Sequence, residues 1–213
     1  MYIKKKITFI GSSKKFISIA KSIYPDSYIN IYYWRDLHTA DRLDKKKGSM
    51  PDIIFVCGFD YQSYSYSFKK FYSVNITNPL NLIEEIATKK KTKIIYIDTY
   101  HCKCNFTLSR YVFAKKTLGN ILSKKYPSLK VLHIPTIINS EEKADIQGGI
   151  ITKIIFNYLI QKNIIEFISI DNLTILVRKC LKKTEKKKGC PVKPILLKLP
   201  RSMFIDRFLR FII

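Results

Sequence analysis

The chain has 213 residues and a mass of 25.0 kDa, enough for one sizeable domain or for one domain with a small appendage. Hydrophobic residues make up 46% and charged residues 26%, a globular composition that excludes disordered and low-complexity chains. The net charge of +23 comes mainly from lysine, because only seven of the 39 basic residues are arginine. Base-specific contacts favour the arginine fork, so the charge indicates attraction to phosphates, and a nucleic-acid partner is not expected.

Membrane, disulfide and metal classes are also disfavoured. No apolar run reaches the roughly 18 residues of a membrane-spanning helix, and the stretch Ile7–Ile10 is too short for a signal peptide. We therefore expect a cytoplasmic protein. The five cysteines follow no disulfide or zinc spacing, which is typical of free thiols in a reducing compartment. The three histidines show no triad or metal spacing, and no metal site is predicted.

Short β-branched runs alternate with longer helical patterns along the chain. The predicted strands are Lys6–Ile10, Tyr28–Tyr33, Asp52–Cys57, Lys93–Ile97, Leu129–Ile134 and a short one near Ile164–Ile168. The predicted helices are Gly11–Ile23, Asn78–Thr88, Leu108–Tyr126, Gly149–Gln161 and Asn172–Lys182, with a Tyr/Ser-rich loop at Tyr61–Ser67. Because the main strands are nearly continuous apolar runs, the pattern predicts an α/β fold with a parallel sheet covered on both faces.

Parallel sheets of this kind bind ligands at the carboxyl ends of their strands, near the point where the strand order reverses. The ends of the first five strands therefore mark a candidate site before any motif is considered. These ends carry Gly11, Trp34–Asp36, Cys57–Gly58, Asp98–Thr99 and Pro135.

Four segments, at the ends of the first three predicted strands and at the start of the second predicted helix, form an ordered series of motifs. They are FIGSSKKF (Phe9–Phe16), YYWRDL after the second strand, DIIFVCGFD (Asp52–Asp60) and VNITNPLNLIEEIA (Val74–Ala87). This series, continued by the motifs below from about Lys5 to about Lys182, resembles the extended short-chain dehydrogenase/reductase superfamily, and within it the NAD-dependent epimerase/dehydratase group. The resemblance implies a Rossmann-like, doubly wound parallel sheet in residues 1–182, with a small C-terminal substrate lobe from about residue 136.

The resemblance also implies a nicotinamide cofactor. Gly11 matches the first glycine of the family's GxxGxxG turn, while Lys14 and Ile17 stand in the other two places. Such glycines allow close approach to a pyrophosphate at a helix N-terminus. Trp34 stands where the family's ribose-binding acid would be, and the following arginine favours NADP over NAD. The cofactor site implied by the family comprises Gly11, Ser12, Ser13, Phe16, Arg35, Cys57, Gly58, Asn75, Lys115 and Pro135.

The catalytic centre implied by the family is a Ser or Thr followed by Tyr-x-x-x-Lys. That pattern occurs five times here, but only Tyr111/Lys115 follows a strand ending in a hydroxyl residue, Thr99. A spacing of four places both side chains on one helix face, and a nearby ammonium favours the ionised form of a phenol. The resemblance implies that Tyr111 transfers a proton, Lys115 binds the ribose, and Thr99 orients the substrate oxygen while hydride moves to or from the nicotinamide.

The function implied by the resemblance is an NAD(P)-dependent oxidoreductase or epimerase/dehydratase acting on a nucleotide-activated sugar, in a pathway such as polysaccharide biosynthesis. Two alternatives stay open. A catalytically degenerate member that binds a nucleotide, or acts as a scaffold or regulator, is favoured by the missing glycines and the small lobe. Another Rossmann-type enzyme, such as a methyltransferase, would not need Tyr111 or Lys115. Family members often dimerise through four-helix bundles, so Asn78–Thr88 and Leu108–Tyr126 are candidate helices for a homodimer contact.

Residues 183–213 are expected to form a basic C-terminal extension. The stretch Cys180–Ile213 holds ten basic and two acidic residues. Its end, Met203–Ile213, predicts a short amphipathic helix. Three roles stay open for this helix: packing on the domain, peripheral contact with a membrane surface, or a dimer contact.

Overall fold

The computed structural model describes residues 4–34, 37, 50–87, 91–99, 106–107, 109–141, 143, 150–162, 166–182 and 195–196. The strands within these ranges are β1 Lys6–Ile10, β2 Tyr28–Tyr32, β3 Ile53–Val56, β4 Lys93–Thr99, β5 Phe106–Thr107, β6 Lys130–Ile134, β7 Thr136–Ile138, β8 Phe167–Ser169 and β9 Ile195–Leu196. The α-helices are α1 Lys14–Ile23, α2 Phe68–Tyr72, α3 Asn78–Ile86, α4 Arg110–Lys125, α5 Ile150–Gln161 and α6 Ile170–Lys182.

Five strands form one parallel sheet in the order β2-β1-β3-β4-β6. Ile10 of β1 is in register with Tyr32 of β2 on one side and with Val56 of β3 on the other. The chain therefore leaves β1 in one direction and later returns to its opposite side, so the strand order reverses at β1. This arrangement confirms the predicted α/β, Rossmann-like fold and places the ligand crevice of such sheets at the end of β1.

The depth of α4 against the sheet is set by a tyrosine and a glycine. Tyr96 of β4 is fully buried, and its hydroxyl donates to the carbonyl oxygen of Lys115 at 2.7 Å. Its ring lies directly under Gly119, where a Cβ would be 2.9 Å from a ring carbon. Glycine at this position therefore lets α4 lie close to β4, and it fixes the height of the helix above the end of the strand.

The Tyr/Ser-rich stretch that the sequence predicts as a loop is helical instead. Tyr61–Ser65 forms a 3-10 helix, and after two extended residues α2, a π-helical turn at Ser73–Thr77 and α3 form one continuous helix. The side chains of Asp60 and Ser67 accept from backbone N–H groups at the two helix starts, which stabilises both. The π turn precedes Pro79, which has no N–H to donate to the carbonyl four residues back, so the helix widens at this point.

The described residues form two compact units. The first holds the chain up to Leu132 together with β9, and the second lies within His133–Thr184. In the second unit β7 and β8 pair in parallel, and α6 buries Leu173 and Val177 completely. Among the helices of the described ranges, none is long and apolar enough to cross a membrane. The predicted helix at Met203–Ile213 lies outside the described residues, and the predicted boundary between residues 182 and 183 stays a prediction.

Candidate functional site

Two glycines bring two strand ends into backbone contact. Gly11, directly after β1, has a φ of +94°, a conformation that favours glycine. A Cβ at this position would overlap the backbone of Gly58, which follows β3. The N–H of Gly11 donates to the carbonyl of Tyr32 at 2.8 Å, which ties the end of β1 to β2. Both the conformation and the contact exclude any larger residue at position 11.

The turn at Gly11 leads into the N-terminus of α1. Ser13 is the N-cap residue, its side chain makes no capping hydrogen bond, and no acidic residue lies in the first turn. Backbone N–H groups and the helix dipole at such an end attract phosphate oxygens. Ser12 and Lys14 are exposed beside this end, whereas Phe16 is buried. The phosphate-binding capacity therefore lies in the main chain and in Lys14, and the side chain of Phe16 belongs to the core.

Trp34 forms a floor beneath the end of β3. The indole is only 6% exposed, and its six-membered ring lies where a Cβ of residue 58 would be. Its Nε1 donates to Oδ1 of Asn75 at 3.2 Å. Trp34 follows β2, and β1 lies between β2 and β3 in the sheet, so the indole spans the end of β1. Gly58 is therefore required by the packing of this tryptophan.

Asn75 uses its whole amide in hydrogen bonds within the chain. It is 1% exposed and lies in the π turn. Besides the indole, its Oδ1 accepts from the N–H of Asp60 at 2.8 Å. Its Nδ2 donates to Ser63 Oγ at 2.8 Å and to the carbonyl of Phe71 at 3.2 Å. With both acceptor directions and both donors engaged, Asn75 joins Trp34, the segment after β3 and α2.

The three residues implied as catalytic lie on β4 and α4. Thr99 is the last residue of β4, and its N–H donates to Asp98 Oδ1 at 2.8 Å. Lys115 is 4% exposed, and its Nζ donates to the carbonyl of Ile97 at 3.0 Å. The same Nζ lies 6.0 Å from the centre of the Tyr111 ring. The structure therefore brings the lysine and the tyrosine together in the N-terminal part of α4.

The rings of Phe59 and Tyr61 pack against Tyr111, and Tyr64 packs against both of them; we call these three rings the aromatic cover. Phe59 meets Tyr111 edge to face with ring centres 5.0 Å apart. Tyr61 lies nearly parallel to Tyr111, at 12° and 6.2 Å. Phe59 also contacts the rings of Tyr61 and Tyr64, at 5.3 and 5.6 Å. Sequence reasoning missed this cluster, although the aromatic run after Gly58 was its visible signal.

Arg110 fastens the cover to the start of α4. One of its guanidinium nitrogens donates to the main-chain carbonyls of Ser63, Tyr64 and Tyr66, at 3.0, 3.1 and 2.7 Å. Hydrogen bonds that involve a charged donor are stronger than neutral ones. The residue directly before Tyr111 therefore holds the segment whose rings pack against Tyr111. Arg110 is a second site residue that the sequence did not reveal.

Cys57 lies between the two ends of this crevice. Its Sγ donates to the carbonyl of Gly11 at 3.2 Å. Burial raises the pKa of the Cys57 thiol from 9.0 to about 11, against the opposing effects of the Lys115 charge and a backbone N–H at Ser13. The thiol is therefore protonated at neutral pH, and a protonated thiol is a poor nucleophile.

For two of the residues implied to bind the cofactor, Arg35 and Pro135, the structure gives no position relative to the crevice at Gly11. Arg35 lies outside the described residues, so the preference for NADP stays a prediction. Pro135 is half-buried between β6 and β7 and belongs to the second unit.

No family model and no curated protein sequence matches the chain. Solved structures do share its fold. A GalE-like L-threonine dehydrogenase from Cupriavidus necator, in its holo form, is 9% identical with a TM-score of 0.58, and the match covers 86% of this chain and 76% of that one. An ADP-L-glycero-D-manno-heptose-6-epimerase from Helicobacter pylori is 12% identical with a TM-score of 0.55, covering 86% and 75%. A dTDP-glucose 4,6-dehydratase from Bacillus anthracis, in complex with NAD, is 11% identical with a TM-score of 0.52, covering 85% and 73%. The resemblance to extended short-chain dehydrogenases/reductases is thereby confirmed at the level of the fold.

Proposed function

We propose that this chain is an NAD(P)-dependent oxidoreductase of the epimerase/dehydratase type, acting on a nucleotide-activated sugar. The observation that carries the proposal is the buried ammonium of Lys115, 6.0 Å from the Tyr111 ring, beside the strand that ends in Thr99. Two structures of similar fold act on nucleotide-activated sugars by their names, and one of these is a complex with NAD. They support the choice of substrate class and cofactor.

The crevice fits the phosphate half of a dinucleotide. A Cβ would fill the cradle at Gly11, and the adjoining end of α1 offers N–H groups with no acid in its first turn. Lys14 is exposed beside it. These groups would hold the pyrophosphate. When bound, the nicotinamide would supply the hydride donor or acceptor.

The chain's own residues would handle the proton and the substrate oxygen. Tyr111 would take the proton of a substrate hydroxyl at its Oη, or return it, and a positive charge nearby favours the phenolate that accepts it. Lys115 is the residue that carries this charge. Thr99 would orient the substrate oxygen through its hydroxyl. The hydrogen bond from Lys115 to Ile97 fixes the ammonium in place for this role.

One observation favours a second candidate, a catalytically degenerate family member that binds a nucleotide as a scaffold or regulator. Phe59 and Tyr61 pack against the ring of Tyr111. A chain that no longer needs proton transfer at Tyr111 would tolerate such a permanent cover. The two candidates differ in whether a bound cofactor is turned over.

The deciding experiment measures cofactor binding and turnover separately. NAD and NADP are titrated by calorimetry, and nicotinamide absorbance is followed, together with sugar products, over a panel of nucleotide sugars. The variants Tyr111→Phe and Lys115→Met are compared with Tyr158→Phe and Lys162→Met. This control pair has the same spacing and the same 6.0 Å ring-to-ammonium distance, but Tyr158 is 55% exposed on α5.

We expect Tyr111→Phe to lower kcat by about a hundredfold or more, as for the loss of a general acid–base group, and to leave cofactor affinity unchanged. Lys115→Met should lower both. The control pair should change neither. Saturable binding without turnover of any sugar by the wild type would replace the enzyme with the degenerate candidate, and absence of NAD and NADP binding would remove the enzyme and leave a degenerate binding or scaffold protein.

A further inference from the structure

The order of the strands dictates the route of a long ligand through the crevice. The proposed phosphate cradle, formed by Gly11 and the N-terminus of α1, lies at the end of β1. Tyr111 lies on α4 near the end of β4, and β3 lies between β1 and β4 in the sheet. Neighbouring strands are about 4.8 Å apart, so a ligand that reaches both ends crosses about 10 Å of sheet edge. It must pass the end of β3, where Phe59 follows Gly58.

Phe59 lies on this route and contacts Tyr111, where the route ends. Its ring meets Tyr111 at 5.0 Å, and Tyr61 lies along the same ring at 6.2 Å. A nicotinamide that exchanges hydride beside Tyr111 needs the surface that these two rings contact. A nucleoside diphosphate, which ends at the cradle, needs none of it.

The cover is held at several points. Arg110, at the start of α4, donates to three main-chain carbonyls of the cover segment, and Asn75 binds the N–H of Asp60 and the hydroxyl of Ser63. The rings therefore leave Tyr111 only when side chains rotate or when this segment moves. Either change costs free energy, which lowers the affinity of a ligand that needs access to Tyr111 but not the affinity of one that binds only at the cradle.

We propose that the aromatic cover is a gate, which closes Tyr111 to the nicotinamide half of a dinucleotide and leaves the phosphate cradle open. This inference rests on the proposed nucleotide binding. The apparent affinity for a dinucleotide is reduced by the fraction of molecules whose gate is open, whereas the affinity for ADP is not. Phe59 is thus a residue that determines which nucleotide the free chain prefers.

Calorimetric titration with ADP, NAD and NADP tests the gate in the wild type, Phe59→Ala and the control Phe68→Ala. Phe68 is also an aromatic residue, half exposed on α2, and its ring contacts those of Phe71, Tyr72 and Phe113. We expect the wild type to bind ADP at least as tightly as either dinucleotide. Phe59→Ala should tighten dinucleotide binding about tenfold and change ADP binding less than twofold. The Phe68→Ala variant should match the wild type.

A second variant protects the test against misfolding of the first. Arg110→Met removes the nitrogen that donates to all three carbonyls, so it should tighten dinucleotide binding in the same direction. A wild type that binds NAD tenfold more tightly than ADP, with no gain in either variant, would overturn the gate.

A measurement without ligand separates the gate from the proposed function. Nitration of tyrosine by tetranitromethane, mapped by mass spectrometry, should be several-fold faster at Tyr111 in Phe59→Ala than in the wild type, with the exposed Tyr158 as internal reference. Equal rates at Tyr111 would overturn the cover. Faster nitration in a chain that binds no nucleotide would support the cover and remove the proposed function.

Discussion

The two ends of the crevice are built from opposite kinds of residue. At the end of β1, Gly11 and Gly58 bring two backbones into contact and leave the N-terminus of α1 accessible. At the start of α4, Phe59 and Tyr61 pack against Tyr111, and Tyr64 packs against Phe59. A backbone contact persists as long as the chain is folded, whereas a ring cluster can separate by rotation of its side chains. The comparison therefore assigns a fixed geometry to the glycine end and an adjustable one to the end around Tyr111.

Gly11→Ala breaks the fixed end, and it should have the largest effect. An alanine at this position would have an unfavourable positive φ. Its Cβ would also overlap the backbone of Gly58, which has no flexible group to move aside. Together the strain and the overpacking should lower the free energy of unfolding by about 4 kcal/mol. Urea denaturation followed by circular dichroism measures this loss.

Ser12→Ala is the matched control for this prediction. Ser12 is the exposed neighbour of Gly11, and surface changes of this kind are usually within about 0.5 kcal/mol. If Gly11→Ala were as stable as Ser12→Ala, the contact between the two strand ends would not exist in solution.

Asn75→Leu tests the connection between the two ends. The substitution removes the partner of the Trp34 indole at the glycine end and that of the Asp60 N–H near the cover, while the Ser63 hydroxyl keeps its bond to the Asp60 carbonyl. Buried polar groups without partners cost about 1–3 kcal/mol each, and partial relaxation should leave a total near 3 kcal/mol. Denaturation measures the loss, and Trp34 emission reports it because this is the single tryptophan of the chain.

Asn81→Ala is the control, since Asn81 is an exposed asparagine on the neighbouring helix. It should change stability by less than about 0.5 kcal/mol. Hydrogen exchange adds a second criterion. The 3-10 helix Tyr61–Ser65 should exchange faster in Asn75→Leu, and unchanged exchange there would show that Asn75 holds only the glycine end.

The sheet could be predicted from the sequence because its signals are local. Apolar runs such as Ile7–Ile10 are fully buried in the structure, and burial on both faces of a parallel sheet requires exactly such continuous runs in place of alternation. The Tyr111/Lys115 pair was also visible, because a spacing of four fixes a shared helix face. Both predictions depend only on residues close together in the chain.

The cover could not be predicted because its contacts join distant parts of the chain. Phe59 and Tyr111 are 52 positions apart, and neither carries a local pattern that indicates the other. The partners of Arg110 are main-chain carbonyls, which every residue has. The stretch Tyr61–Ser67 carries no local helical pattern, because the start of its 3-10 helix at Tyr61–Ser65 depends on the Asp60 cap. Composition alone conveys none of this.

The smallest expected effect concerns Cys57, which lies between the two ends and responds to both. Burial raises the pKa of its thiol from 9.0 to about 11 in the folded chain. The stabilisation linked to this protonated thiol is complete below pH 9 and is lost as the pH rises from 9 to 11, because the unfolded thiol ionises first. Stability should therefore fall more steeply in the wild type than in Cys57→Ser over this range, and equal slopes would contradict the shift.

Alkylation by iodoacetamide at pH 8 sharpens the same comparison, because only the thiolate reacts. Cys57 in the folded chain should react about a hundredfold more slowly than a cysteine with a pKa of 9. The charge of Lys115 lowers this pKa against the effect of burial. Lys115→Met should therefore slow the alkylation further, whereas Lys162→Met, directly after α5, should not. An unchanged rate in Lys115→Met would show that the ammonium beside Tyr111 exerts no field on the thiol beside Gly11, and the two ends would then be electrostatically independent.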